Sequence, residues 1–166
     1  MEALIFLILV THADLLAPHG ERAVVLLFVR SDCPISNRYA PELERLYERY
    51  SPQGVDFHLV YPESGLTAGA MNRHRKEYGY KIPALLDVSH EYVARAGVRV
   101  TPEAAVFVRG QLIYAGRIDD RYADIGKARQ EASHHDLEDV VASVVAGKAV
   151  AIRRTKSVGC VIENLR

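Results

Sequence analysis

Apolar positions along the chain follow two rhythms. Ala23-Val24-Val25-Leu26-Leu27-Phe28-Val29 is an unbroken β-branched and aromatic run, the pattern of a central strand covered on both faces in a largely parallel sheet. Past Arg30-Ser31-Asp32-Cys33-Pro34, the residues Leu43, Leu46, Tyr47 and Tyr50 recur at i, i+3, i+4 and i+7, one stripe of an amphipathic helix. Cys33 therefore falls at a strand-to-helix junction. Ser51-Pro52-Gln53-Gly54 reads as a turn, Val55 to Tyr61 as a second strand, Thr67 to Tyr78 as a helix ended by Gly79, and Ile82 to Leu86 as a short strand. Ser89 to Ala96 opens on Ser89 as a candidate N-cap and closes on Gly97, as helices commonly do.

The β-α-β-α-β-α order then changes. Ala104 to Val108 and Gln111 to Gly116 flank Arg109-Gly110, which predicts an antiparallel hairpin. Leu137, Val140, Val141, Val144 and Val145 trace a last helical stripe, stopped by Gly147. Asp119 to Ser133 is linker-like but too short to divide domains. The expected organisation is one domain over residues 1–147 and a polar, mobile tail over 148–166 carrying Cys160.

Composition narrows the class. With 166 residues, 49% apolar and 25% charged, the chain has the make-up of an ordinary globular domain with its own core, and collagen-like, low-complexity and disordered classes are excluded. The 21 basic and 21 acidic residues cancel, so no field gathers polyanions and nucleic acid is not an expected partner. The apolar run Ala3 to Val10 is far short of the roughly 20 residues a spanning helix needs. It reads either as a buried first strand or, with Thr11-His12-Ala13, as part of a signal peptide that lacks a basic start. Localisation stays open accordingly, between cytoplasm and bacterial envelope or periplasm.

Two cysteines are too few for a disulfide framework or a cysteine-rich metal site, which turns attention to cysteine as a reagent. At the first turn of a helix, Cys33 feels the positive end of the dipole and unpaired N–H groups, both of which favour thiolate, the form that attacks disulfides and peroxides. Arg30 and Arg38 add to this and Asp32 opposes it. Placement alone leaves an inert buried cysteine equally open.

Residues Phe28 to Pro41, FVRSDCPISNRYAP, resemble the active-site strand and helix of the thioredoxin superfamily, with Cys33 at the attacking position and Ala40-Pro41 at the spacing of that family's Ala-Pro pair. Val98 to Phe107, with Thr101-Pro102 before the hairpin strand, resembles the second hallmark, a cis-proline packed beside the active cysteine. The likeness runs from about Ala23 to Ala146. The 69 positions from Cys33 to Pro102 exceed a minimal thioredoxin and resemble the inserted strand and helix of the redoxin and peroxiredoxin-like branch, the alkyl hydroperoxide reductase and thiol-specific antioxidant type. The Asp-Cys-Pro-Ile-Ser-Asn motif, Gly116 to Arg121 and Val158-Gly159-Cys160 are similar to bacterial redoxin-domain proteins.

Two departures bear on chemistry. Ser36 stands where C-x-x-C has its second cysteine, giving a single-cysteine C-x-x-S, so something other than its neighbour must release a mixed disulfide at Cys33. Leu26 and Arg30 stand where the peroxiredoxin motif P-x-x-x-T/S-x-x-C has its proline and hydroxyl. Cys160, seventh from the C-terminus, either resolves Cys33 or is an unrelated thiol on the sheet. The twelve residues 148–159 extend about 40 Å, so reach permits the first.

The resemblance implies a thioredoxin-like α/β sandwich with a mixed central sheet flanked by helices. It also implies a thiol-based oxidoreductase in which Cys33 attacks a disulfide or peroxide, Thr101 and Pro102 line the groove, and Ser36 stands in for the missing thiol. No cofactor is expected, and none of the seven histidines shows paired metal-ligand spacing apart from His134-His135, which reads as a solvated cap. The expected partners are a disulfide-bearing protein, a small thiol or a peroxide, with an external reductant. The alternative is a non-catalytic module of the same fold that holds a partner protein or delivers a metal. The cluster Arg117, Asp119, Asp120 and Arg121 reads as a solvated loop in preference to a surface supporting the site.

Overall fold

The computed structural model describes residues 14–17, 20–151 and 153–163, so the expected first strand or signal peptide lies outside the described residues. Five strands form one mixed sheet in the order β3-β2-β1-β5-β6. β1 (Ala23–Phe28) and β2 (Val55–Tyr61) pair in parallel, as do β2 and β3 (Ala84–Leu86), whereas β1 meets β5 (Glu103–Val108) antiparallel and β5 forms a hairpin with β6 (Gln111–Gly116). Every residue of β1 is buried, as expected of a strand with a helix layer on each face.

The period-2 alternation of β1 divides the core. Val25 and Leu27 point into a cluster with Leu43 and Leu46 of α2 (Ala40–Tyr50) and with Leu137, Val140 and Val141 of α5 (Asp136–Val145). Val24, Leu26 and Phe28 meet Val93 and Ala96 of α4 (Glu91–Ala96) on the other face, together with Ile162 from the C-terminal tail. The remaining helices are α1 (Pro34–Arg38), which leads directly into α2, and α3 (Ala68–Glu77), capped by Thr67 Oγ1 accepting from the Ala70 N–H. Among the described residues no helix is long and apolar enough to cross a membrane.

Three local expectations are corrected. Ser89 does not cap α4. The N-cap is His90 at φ 58°, and the buried Asp87 carboxylate accepts from the Glu91 and Val93 N–H groups. The stretch Asp119 to Ser133 is not featureless, since it holds a small hairpin of β7 (Tyr122–Asp124) and β8 (Lys127–Ala128). The residues after Gly147 are fastened to the domain. Arg153 and Thr155 bond the backbone of Ala115, and β9 (Cys160–Val161) pairs antiparallel with β4 (Val100–Thr101), setting Cys160 opposite Thr101.

Candidate active site

Cys33 is the N-cap residue of α1, with extended backbone (φ −93°, ψ 110°), and its carbonyl accepts the first helical bond from Asn37 N–H. It is fully buried. Its Sγ is bonded to Sγ of Cys160, 127 residues along the chain, with the Cα atoms 6.1 Å apart, inside the usual range for a disulfide. The same Sγ lies 3.2 Å from the Thr101 carbonyl oxygen. The Thr101–Pro102 peptide bond is cis. Cys33, Thr101, Pro102 and Cys160 thus meet at one point although the sequence spreads them over 128 positions.

The tail that brings Cys160 here passes Thr101 with no room for a side chain at residue 159. A Cβ added at Gly159 would lie 2.1 Å from the Thr101 oxygen, so this backbone approach needs glycine. Thr101 Oγ1 donates to the Cys160 carbonyl at 3.5 Å, and Ile162 N–H bonds Arg99 O while its side chain is buried. The buried Glu103 carboxylate accepts from Arg99 and Val100 N–H and so holds β4, the strand on which Cys160 is registered.

Arg30 is engaged differently from the sequence expectation. Its guanidinium makes two 3.0 Å bonds to the Asp32 carboxylate and one to Val161 O. Its charge is offset by Asp32 and its third arm clamps the tail, so it does not supply a free cation to Cys33. Arg38 is exposed. Ser36 is fully buried with no partner for its Oγ among the described residues, an orphaned hydroxyl one helical turn from Cys33.

Spacing did not reveal the support behind the cysteine loop. Glu63 accepts from both the backbone and hydroxyl of Ser31. Asn37 Nδ2 donates to Ser31 O and to Tyr78 Oη, which leaves its Oδ1 as acceptor from His74 Nε2–H. His74 Nδ1 then accepts from Tyr61 Oη–H at 2.8 Å, a fully satisfied neutral imidazole. Burial holds the His74 pKa below its ordinary value. Asn37 was visible as part of the cysteine motif. Glu63 and His74 come from β2–α3 and carried no local signal.

The charged cluster after the hairpin is buried, which corrects the solvated-loop expectation. Asp119 and Asp120 are 2% and 4% exposed. Asp119 accepts from Tyr39 Oη and from Arg121 N–H, and Arg121 lies over the Tyr39 ring, so the cluster props the junction of α1 and α2. Asp120 gathers Ser133 N–H, His134 N–H and His134 Nδ1, with Arg129 as its ion partner. Burial raises the Asp120 pKa, but these hydrogen bonds outweigh it and hold the carboxyl well below the usual range. The paired histidines thus divide: His134 serves Asp120, and His135 is the N-cap residue of α5. His135 lies near Glu42 and Glu138, but both glutamates are engaged by Arg45.

A cleft of about 130 Å³ lined by Arg30, Asp32, Pro62, Glu63, Ser64, Ile162 and Glu163 flanks both chain segments that carry the disulfide. Chemically the disulfide is the oxidised form of the pair, able to accept two electrons and two protons and open to two thiols, with the sulfur of Cys33 enclosed and Cys160 partly exposed.

Comparison with known proteins agrees with this architecture. The model of the redoxin family matches residues 11–146. A hypothetical protein from Sinorhizobium meliloti is similar at 25% identity and TM-score 0.75, with 86% of this chain and 80% of that one covered. An uncharacterized conserved protein from Geobacillus kaustophilus matches at 25% and 0.75, covering 84% and 76%. A secreted Mycobacterium tuberculosis disulfide oxidoreductase homologous to E. coli DsbE shares the fold at 20% identity and TM-score 0.50, covering 76% and 83%. No curated protein sequence matches.

Proposed function

The chain belongs to the redoxin family, and on that premise we propose that it exchanges thiols and disulfides, with Cys33 as nucleophile and Cys160 as the second sulfur of the working pair. The observation that carries this reading is the bond between Cys33 at the N-terminus of α1 and Cys160 beside the cis Thr101–Pro102 peptide. Cys160 supplies from the tail what Ser36 does not supply from the helix.

In the reduced chain the Cys33 thiolate attacks one sulfur of a substrate disulfide, forming a mixed disulfide and expelling the other substrate sulfur as thiolate. Cys160 thiolate then attacks Cys33 Sγ, expels the second substrate thiolate and closes the Cys33–Cys160 bond. Substrate gains two electrons and the chain loses two. The external dithiol that restores them meets the partly exposed Cys160 before the enclosed Cys33, so it attacks Cys160 Sγ, and Cys33 leaves as the thiolate that the helix terminus stabilises. The cleft beside Arg30 and Ile162 gives that incoming sulfur its approach. Ser36 Oγ, orphaned in the oxidised form, donates to the thiolate in the reduced form, and the Cys33 thiol before ionisation donates to Thr101 O.

Disulfide substrates are favoured over peroxides. Leu26 and Arg30 occupy the positions of the peroxidase proline and hydroxyl, and Leu26 is fully buried while Arg30 is bound to Asp32 and Val161. A protein disulfide is the substrate class that fits, and the same fold serves a disulfide oxidoreductase in Mycobacterium tuberculosis.

The test is reduction of a protein disulfide by the full chain with dithiol supplied in excess, followed for wild type, Cys33→Ser and Cys160→Ser. Cys33→Ser should abolish turnover. Cys160→Ser, reduced and then mixed with the substrate after the dithiol has been removed, should accumulate a mixed disulfide at Cys33 that mass spectrometry identifies. Full turnover by Cys33→Ser refutes Cys33 as the nucleophile and moves the chemistry elsewhere, whereas a reduced Cys33 thiol titrating at the free value of about 8.5 refutes catalysis in favour of a binding module.

A further inference from the structure

The tail has a second point of attachment five residues before Cys160. Arg153 O accepts from Ala115 N–H at 3.1 Å, Thr155 N–H donates to Ala115 O at 3.3 Å, and Arg154 lies as a parallel bridge beside Ala115 at the end of β6. Arg154 also reaches the Gly97 and Ala96 carbonyls at the end of α4. At the centre sits the Thr155 hydroxyl. Its oxygen accepts from Arg117 N–H at 3.0 Å and lies 2.7 Å from Tyr114 Oη. Because Tyr114 spends its own proton on Arg117 O at 2.7 Å, the Thr155 hydroxyl donates to Tyr114 Oη, and all three groups are satisfied in a closed set. Tyr114 is fully buried.

The seat for Thr155 is shaped by Gly116. A Cβ there would lie 2.2 Å from Thr155 Oγ1 and 2.8 Å from its N and O, and φ is 157°. Arg117, next in sequence, is held by two bonds to the buried Asp136 carboxylate at the start of α5, which keeps its N–H aimed at Thr155. Five residues of tail thus separate a fixed point from the sulfur.

We infer that this seat is a positioning device for the redox pair: Thr155, held by Gly116, Arg117 and Tyr114, confines Cys160 to the neighbourhood of Cys33 when the disulfide is open. The inference rests on the reading of Cys33 and Cys160 as the working pair. Were residues 148–155 released completely, the tail would pivot from Gly147, thirteen residues from Cys160, whereas with Thr155 seated it pivots from Thr155, five residues away. Effective concentration of a flexibly tethered group falls roughly as the −3/2 power of tether length, so the seat raises that of Cys160 about fourfold by tether length alone. Any loss of pairing between β4 and β9 in the unseated tail adds to this.

The experiment equilibrates the full chain with reduced and oxidised glutathione, in which the dithiol chain and glutathione disulfide give the Cys33–Cys160 bond and two glutathione thiols. Thr155→Val keeps the side-chain shape and removes the hydroxyl, and should lower this equilibrium constant more than twofold, reaching about fourfold, a potential about 18 mV less negative for two electrons, where the segment is released completely. Thr155→Ser restores the hydroxyl and should stay within twofold of wild type. The ionisation of the reduced Cys33 thiol should be the same in all three, since the seat acts on Cys160. Should Thr155→Val fail to fold, Tyr114→Phe removes the same hydroxyl contact from the sheet side and is read the same way.

A folded Thr155→Val, or its Tyr114→Phe substitute, with an equilibrium constant within twofold of wild type overturns the inference while leaving the redox pair standing. A wild-type chain that forms no Cys33–Cys160 bond across the glutathione range overturns the functional reading and the inference together.

Discussion

Opening the Cys33–Cys160 bond should cost this domain a large share of its stability. The bond closes a loop of 127 residues. In the chain-entropy description a cross-link of that span removes about 16 cal/mol/K from the unfolded ensemble, or about 5 kcal/mol at 25 °C. The Cα separation of 6.1 Å is ordinary, so the folded backbone accepts the bonded and open forms with little rearrangement. For a chain of 166 residues each kcal/mol moves the melting temperature by about 2–4 °C, which predicts a drop of about 10–20 °C on reduction. The assay is thermal unfolding of wild type with and without a dithiol reductant, beside Cys160→Ser. That variant should melt where reduced wild type melts and ignore the reductant. A shift in wild type below about 3 °C, or a reductant response that survives in Cys160→Ser, refutes the reasoning. The linkage runs both ways. What the bond adds to folding, folding adds to the bond, so it is about 110 mV harder to reduce in the folded chain than in the unfolded one. Under the proposed function the external reductant must therefore be a strong one.

Ser36→Ala should separate the two states, because it removes a buried unpartnered hydroxyl that costs the oxidised form about 1–3 kcal/mol and also removes the donor proposed for the thiolate. Oxidised protein should melt higher and the reduced Cys33 thiol should titrate at higher pH; an unchanged titration removes Ser36 from the mechanism. Ser36→Cys should create a local resolving pair and raise disulfide-reductase activity, and no gain counts against the alignment of Ser36 with the missing cysteine. The depressed His74 pKa means the unfolded chain binds a proton the folded chain refuses, so stability is full above about pH 6.5 and falls as pH drops below it. His74→Gln should flatten that limb in urea midpoints measured between pH 5 and 7. Glu138, held low by its bond to Arg45, contributes above about pH 4.5 and is lost as pH falls further, a second limb that Glu138→Gln should remove.

What the sequence revealed follows physical scale. β1 and the stripe of α2 were legible because burial on two faces or one leaves a local period, and Val25, Leu43 and Leu46 occupy the core positions that period assigns. The hairpin of β5 and β6 was legible from Arg109-Gly110, whose φ values of 50° and 76° are those a tight turn between strands demands. The burial of Asp119 and Asp120 was not legible. A carboxylate reads as solvated until its partners are known, and these come from residues 80 positions before Asp119 and 14 after Asp120. Asp87 was missed as the cap of α4 because it lies four residues before Glu91, outside the usual capping position.

The tail shows why the second sulfur is hard to place from sequence. Residues 153–159 carry no hydrophobic period, so periodicity had nothing to read and the segment passed for mobile. It is held instead by backbone pairing at Ala115 and Thr101, by the Thr155 hydroxyl, by the Arg154 guanidinium on the carbonyls at the end of α4 and by Val158 against the core. Pairing of this kind leaves its trace in what is missing: Gly116 and Gly159 are the two glycines whose added Cβ would strike backbone atoms of the opposing segment closer than 3 Å. Each marks a crossing of the tail over the sheet end, and the second immediately precedes Cys160. A C-x-x-C pair is held at its spacing by the helix that contains it. Here the helix keeps Ser36, the partner sulfur comes from 127 residues away, and the spacing is held by two glycines and a threonine that no spacing rule would connect. On the proposed reading of Cys33 and Cys160 as the working pair, the cost of such an arrangement is that resolution depends on the tail staying seated, which ties the chemistry proposed for Cys33 to the fold of a segment outside the five-stranded sheet.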